Sequence, residues 1–263
     1  MTLLSGNALV TGATGGIGQA IARTLAARGA TVTVTGRRLE VLEPLANDIS
    51  GRAIACDLSR REQVDRLIQE AGAVDMLIAN AALPGAAELT DLTQEQIDGM
   101  LEVNLRAPIA LARALVAPMV SRGRGHLVFI SSLNGKAATP ATSIYAAAKF
   151  GLRGFALCLR EDLRPHGVGV SNVMPGFIRD AGMFANTQVE LPRGVGTRSP
   201  EDVAAAVVKA IEHNRAEIEV APLGLRLGAT FAGAAPELAA AAARRLGSTK
   251  VAFDMAEAQR GTH

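Results

Sequence analysis

Asn7-Ala8-Leu9-Val10-Thr11 is a short apolar run that stops at glycines and is followed at once by apolar residues at helical spacing, Ile17, Ala20, Ile21 and Leu25. The alternation recurs: strands are expected at Thr31 to Thr35, Arg52 to Cys56 and Asp75 to Ala79, with helices from Leu39 and Arg60 between them. Strands separated by helices cannot pair as hairpins, and the crossovers they need produce a parallel sheet. The expected fold is α/β, a doubly wound, mostly parallel sheet of about seven strands flanked by helices. Later strands are expected at Gly125 to Ile130, Gly167 to Met174 and Glu217 to Val220, and later helices at Gln94 to Ser121 and Ser143 to Arg164. Ser59 with Glu62 reads as a capping box for the third helix, and Ser199-Pro200-Glu201-Asp202 as a capped helix start.

A chain of 263 residues suits one large core better than two domains of ordinary size. We expect a dinucleotide-binding and catalytic domain over 1–220, with a divergent helical extension, 221–263, packed on it. With 27 basic and 25 acidic side chains and no run of like charge, neither nucleic acid nor an anionic membrane is an expected partner. Cys56 and Cys158 have no metal-ligand spacing and read as reduced core residues; no metal site is expected. Met1 to Gly6 shows no basic region ahead of an apolar run, and no long uninterrupted apolar stretch follows, so a soluble cytoplasmic protein without an integral membrane segment is expected.

The turn Thr11-Gly12-Ala13-Thr14-Gly15-Gly16-Ile17-Gly18 joins the first strand to its helix, and its glycines let backbone approach a pyrophosphate at a helix N-terminus. A tight turn with no ligand is the plainer reading. The second strand ends in Gly36-Arg37-Arg38, with no carboxylate for a ribose 2′-hydroxyl; two arginines suit a 2′-phosphate, or else form a solvated helix start. Tyr145, the only tyrosine, precedes one of only four lysines, Lys149, by one helical turn across three alanines. A nearby ammonium stabilises a phenolate, so the pair is a candidate acid/base, the alternative being an exposed helix face where the two merely stack. Ser131 and Ser132 fall at the carboxyl end of the fifth strand, where open α/β sheets place ligands. Asn104 inside a long helix is either a kink or a site residue. The segment Phe177 to Arg198 lacks periodicity and reads as a lid.

Taken together these motifs resemble the short-chain dehydrogenase/reductase family, with a Rossmann-like fold, from Asn7 to about Val220. The resemblance rests on Thr11-Gly12-x-x-x-Gly16-x-Gly18, on Tyr145-x-x-x-Lys149, on Ser132 ahead of the tyrosine, and on Asn104 within Val103-Asn104-Leu105. It implies that Tyr145 transfers the proton, Ser132 bonds the carbonyl oxygen, Lys149 lowers the Tyr145 pKa and binds ribose, and Asn104 holds a relay water. It further implies a cofactor site of Gly12, Thr14, Gly16, Ile17, Gly18, Arg37, Arg38, Asp57, Leu58, Asn80, Tyr145, Lys149, Pro175, Gly176 and Ile178.

The activity implied is hydride transfer between NADP, or alternatively NAD, and a secondary alcohol or ketone, by a homodimer or a homotetramer. Leu83, Leu133, Phe177, Met183 and Phe184 lie in the segments expected to line the pocket, so the substrate is expected to be apolar. Two departures from the family pattern stand out. Asn80-Ala81-Ala82 lacks the usual closing glycine, and Asp180 takes the place of a threonine that touches the nicotinamide. The rivals are a nucleotide-binding regulatory protein that has lost its chemistry and an epimerase or dehydratase on the same scaffold. The tail has three readings: Pro222 to Leu227 apolar with glycine breaks, Glu237 to Leu246 helical and Asp254 to His263 frayed could form a cap, an oligomer contact or a membrane patch.

Overall fold

The computed structural model describes residues 3–185, 187, 189, 191, 195–245 and 249–259. Seven strands are present: β1 Asn7–Thr11, β2 Thr31–Gly36, β3 Arg52–Ala55, β4 Met76–Ala79, β5 Gly125–Ile130, β6 Val168–Pro175 and β7 Glu217–Val220. They form one sheet in the order β3-β2-β1-β4-β5-β6-β7, and every pairing is parallel. The helices are α1 Gly16–Ala27, α2 Leu39–Asp48, α3 Arg61–Ala71, α4 Gln94–Leu101, α5 Ala107–Arg122, α6 Ser143–Leu163, α7 Gly182–Ala185, α8 Pro200–Glu212, α9 Leu223–Ala234, α10 Pro236–Arg245 and α11 Thr249–Ala258. The fold is Rossmann-like, as the strand and helix periodicity predicts.

Side chains alternate between two cores because a strand turns successive residues to opposite faces. Val10, Val34, Met76, Ile78, Val128 and Val173 pack with α1, α2 and α8 on one side. Leu9, Leu77, Leu127, Phe129 and Val170 pack with α3, α5 and α6 on the other. With helices on both faces, β4, β5 and β6 are buried along their whole length, hence their near-continuous apolar runs. Phe129 is fully buried and meets Phe155 edge-on at 5.6 Å between centroids.

Several local expectations give way to tertiary contacts. The third helix starts at Arg61, and Ser59 does not cap it: its N–H and Oγ both bond Asp57 Oδ1, at 3.0 and 2.8 Å. The run from Gln94 to Ser121 is not one regular helix, since Glu102–Arg106 forms a π turn between α4 and α5. Cys56 is buried as expected but Cys158 is exposed; it lies on the outward face of α6, whose inner face carries Leu152, Ala156 and Leu163. The tail is more helical than its glycines suggest. Pro222 to Leu227 enters α9, and Asp254 to Ala258 belongs to α11 rather than to a frayed end. Leu246 and residues 260–263 lie outside the described residues. The capping box at Ser199 does form, with Asp202 N bonding Ser199 Oγ and Ser199 N bonding Asp202 Oδ2. Among the described residues only Gln94–Arg122 is long and apolar enough to cross a bilayer, and Met100, Leu111, Leu115 and Met119 bury its inner face, so it reads as a core helix.

Among the described residues His126 on β5 is the one imidazole sunk in the sheet, its Nε2 2.8 Å from Ser171 Oγ. Burial, with Arg160 nearby, pushes its pKa down from 6.5 to about 4. An unfolded chain takes up that proton near pH 6.5 and the folded one does not, so unfolding gains a proton between these values. Stability is therefore complete above about pH 6.5 and falls as pH drops toward 4, by up to roughly 3 kcal/mol from this residue. Urea midpoints measured across this range should fall with pH, and a His126→Asn variant should lose much of that slope.

Candidate active site

The sheet order reverses between β1 and β4, and ligands of open α/β sheets sit at the carboxyl ends of strands beside such a reversal. One polar clasp fixes this place. Thr11 Oγ1 accepts from Asn80 N and Ala81 N, each at 3.0 Å, while Asn80 Nδ2 donates to Thr11 O at 2.9 Å and Gly12 O at 3.3 Å. The turn after β1 is drawn so close that only glycine fits. Gly12 has φ +67°, and a Cβ there would lie 2.6 Å from Ala81 Cα. A Cβ on Gly18 would lie 2.5 Å from Gly12 O.

A cavity of about 1460 Å³ opens above these strand ends, and it brings together the expected cofactor residues. Gly12, Thr14, Gly16, Ile17 and Gly18 line it from the turn and from α1, whose N-terminus has no side-chain cap and so keeps its first N–H groups for a ligand. Arg37 and Arg38 line it from the end of β2; both are exposed, and Arg38 Nη2 donates to Thr14 O at 3.2 Å. Asp57 and Leu58 follow β3, Asn80 follows β4, and Pro175, Gly176 and Ile178 close the far side from β6. Burial alone would raise the Asp57 pKa; the Ser59 bonds, with Arg37 and Arg60, outweigh it and hold the carboxyl below its ordinary value. Thr35 Oγ1, on the same wall, is buried with no hydrogen-bond partner. An uncapped helix start, a glycine cradle, two exposed arginines and an orphan hydroxyl fit a phosphorylated dinucleotide.

Ser132, Tyr145 and Lys149 line the same cavity, Ser132 from the end of β5 and the other two from α6. Tyr145 is half-buried and hydrogen-bonded to Ser132. Lys149 is fully buried, its Nζ 5.6 Å from the centre of the Tyr145 ring and donating to Ile130 O at 3.0 Å. The backbone of α6 is pinned there too, as Ser131 Oγ donates to Lys149 O. The electrostatics differ from the expected lowering of the Tyr145 pKa by Lys149. Burial pushes Tyr145 up to about 12, against the bond from Ser132, and pushes Lys149 down to about 8. Desolvation is the largest cause in both groups, and the hydrogen bond that the Lys149 ammonium makes goes to the Ile130 carbonyl.

Asn104 is brought near but not into the cavity wall. It sits fully buried in the π turn, its Oδ1 accepting from Leu83 N at 2.7 Å and its Nδ2 donating to Leu83 O at 3.1 Å. Its side chain thus holds the loop after β4 through one bond at each end of the amide. Asp180 does not face the site: it is exposed, at φ +64°, and turned toward Arg179 at 3.4 Å. The loop from Phe177 is tied at its base, where Arg179 N bonds Arg198 O and Arg198 N bonds Phe177 O. Between these ends α7 lays Phe184 against Phe177, and Phe177, Met183 and Phe184 line the cavity with Leu83 and Leu133. Asn186, Gln188, Glu190 and residues 192–194 of this loop lie outside the described residues.

One contributor escaped the sequence reading. Gly85 backs directly onto the tyrosine, a Cβ there falling 2.5 Å from Tyr145 Cβ. It carries no local motif; only contact in space identifies it. Of the three readings of the tail, the cap accords with α9, α10 and α11 walling the far side of the cavity.

A sequence profile described as short chain dehydrogenase matches residues 6–191. The chain is 36% identical over 230 residues, 84% of its length and 80% of the relative's, to the ketoacyl reductase HetN of Nostoc sp.. It superimposes on a metagenomic short-chain oxidoreductase in complex with NADP with a TM-score of 0.71 at 33% identity, over 84% of this chain and 99% of the other. A short-chain dehydrogenase from Sphingobium yanoikuyae in complex with NADPH gives a TM-score of 0.77 at 26% identity, over 88% and 94%. A clasped glycine turn at the sheet reversal, a Ser-Tyr-Lys wall beside it and these likenesses have one account: the chain is an oxidoreductase of the short-chain dehydrogenase/reductase family.

Proposed function

We propose that this protein is an NADP-preferring oxidoreductase acting on apolar ketones and secondary alcohols, with Tyr145 as general acid/base. The observation that carries the reading is that one cavity joins Arg37 and Arg38 at one end to Ser132, Tyr145 and Lys149 at the other, between apolar walls. The cofactor, when bound, supplies the hydride. Gly12 and Gly18 admit its pyrophosphate, α1 faces that charge, and Arg37 and Arg38 grip the 2′-phosphate. Arg38 is already held toward the turn through Thr14.

A phenol pushed up to about 12 keeps its proton at neutral pH, so the resting Tyr145 is an acid and suits ketone reduction. Ser132 bonds the substrate oxygen beside it. The Lys149 ammonium favours the phenolate left after proton donation. Asn104, through Leu83, positions the loop opposite rather than touching the substrate. We take 1–220 as the catalytic domain and 221–263 as its extension, in a cytoplasmic homodimer.

The direct test is steady NADPH consumption with a panel of ketones; turnover separates this reading from a regulatory protein or an epimerase. Tyr145→Phe should lower kcat by orders of magnitude with NADPH affinity nearly unchanged. Gly85→Ala, which forces the Tyr145 Cβ aside, should cost roughly a hundredfold in kcat, the scale of a misplacement of about 1 Å. Lys149 is charged below its pKa of about 8 and neutral above it, so kcat for reduction should fall as pH rises through about 8. Arg37→Asp should reduce kcat/KM with NADPH roughly ten- to a hundredfold and shift the NADPH/NADH ratio toward NADH, one charge-assisted contact being worth about 1.5–3 kcal/mol. A wild-type enzyme that prefers NADH would refute the cofactor assignment.

A further inference from the structure

The cavity of about 1460 Å³ does not end at Tyr145: past the cofactor residues and the Ser132, Tyr145 and Lys149 wall it continues to a far wall that belongs to α9, α10 and α11. Leu225, Ala232, Ala239, Ala243, Ala252 and Met255 line that end. These six are apolar and four of them carry only a methyl side chain; Arg244 and Thr249 are the polar residues that α10 and α11 add to the lining.

The roof is fastened at one end to the loop that carries Ser132 and at the other to the loop that backs onto Tyr145. Glu219 accepts from Lys136 Nζ at 2.6 Å and from Arg226 Nε at 3.1 Å, and Lys136 Nζ also donates to Thr230 Oγ1 at 3.0 Å. Lys136 follows Ser132 in the same loop, and Gly233 lets α9 approach Lys136 O closely, a Cβ there falling 3.0 Å from it. At the other end Gln259, buried just beyond α11, accepts from Ala86 N at 3.1 Å. Ala86 adjoins Gly85, which backs onto Tyr145. The roofed chamber is therefore held against the reacting groups and is continuous with their pocket.

We propose that the chamber under α9 to α11 binds an extended, unbranched apolar tail of the substrate, so that the protein selects carbonyl compounds bearing a long alkyl or acyl chain. This rests on the oxidoreductase reading above, but the chamber is tested independently of turnover. Dissociation constants for straight-chain alcohols from butan-2-ol to dodecan-2-ol, measured by calorimetry with NADPH present so that no hydride can be transferred, should tighten by about fourfold for each methylene buried, until the chamber is full.

Ala232→Phe and Ala239→Phe, on different helices, should each halt that tightening at a shorter chain while leaving butan-2-ol binding unchanged; two variants guard against one failing to fold. NADPH consumption with the matching ketones is measured in parallel. A flat binding series, or variants whose series runs parallel to wild type, overturns the chamber even if ketones are reduced. A length-dependent series that the variants cut short, without any turnover, upholds the chamber as an apolar-tail site and refutes the redox reading instead.

Discussion

The clasp between Thr11 and Asn80 is the contact on which the site depends. Two buried strand ends must finish side by side, and each leaves backbone groups that no ladder partner satisfies. Thr11 and Asn80 answer both needs at once, since the threonine hydroxyl takes two N–H groups and the asparagine amide gives to two carbonyls. That closeness is what excludes side chains at Gly12 and Gly18. The alanines after Asn80 line the cavity in place of the glycine common in the family, so the clasp is made here without it.

The sheet, and the meeting of Ser132, Tyr145 and Lys149 on one cavity wall, were legible because their signals are local. Period-two apolar runs, glycines at the first turn and the Tyr145-x-x-x-Lys149 spacing each lie within one or two turns of chain. What escaped depends on partners far away in sequence. Ser59 has the pattern of a cap, yet Asp57 captures it and Gln63 bonds the Asp57 N–H. Asn104 sits in a widened turn that no propensity announces, where its amide bonds both backbone groups of Leu83. The end of the chain looked frayed, and α11 is held there by Gln259 on Ala86.

Electrostatics was the least legible level. A lysine one turn after a tyrosine suggests a depressed phenol, but the sequence does not say where the ammonium points. Here Lys149 turns to Ile130 O and both groups shift toward their neutral forms, because taking them out of water costs more than their mutual field returns. The buried pair is therefore tuned by depth and orientation, two properties that spacing alone does not encode.

The strand order also governs how the protein is made. β1 lies inside the sheet, third from the β3 edge, and while Val10 meets Val34 on one side, its other neighbour is Ile78. During synthesis the first strand leaves the ribosome with one flank unpaired until β4 has emerged, and β4 in turn awaits β5. Parallel pairing offers no hairpin to bridge the delay, and the loop-closure entropy must be met before those contacts form. The nascent N-terminal half thus exposes apolar strand edges over a long stretch of translation, the condition in which chaperones bind.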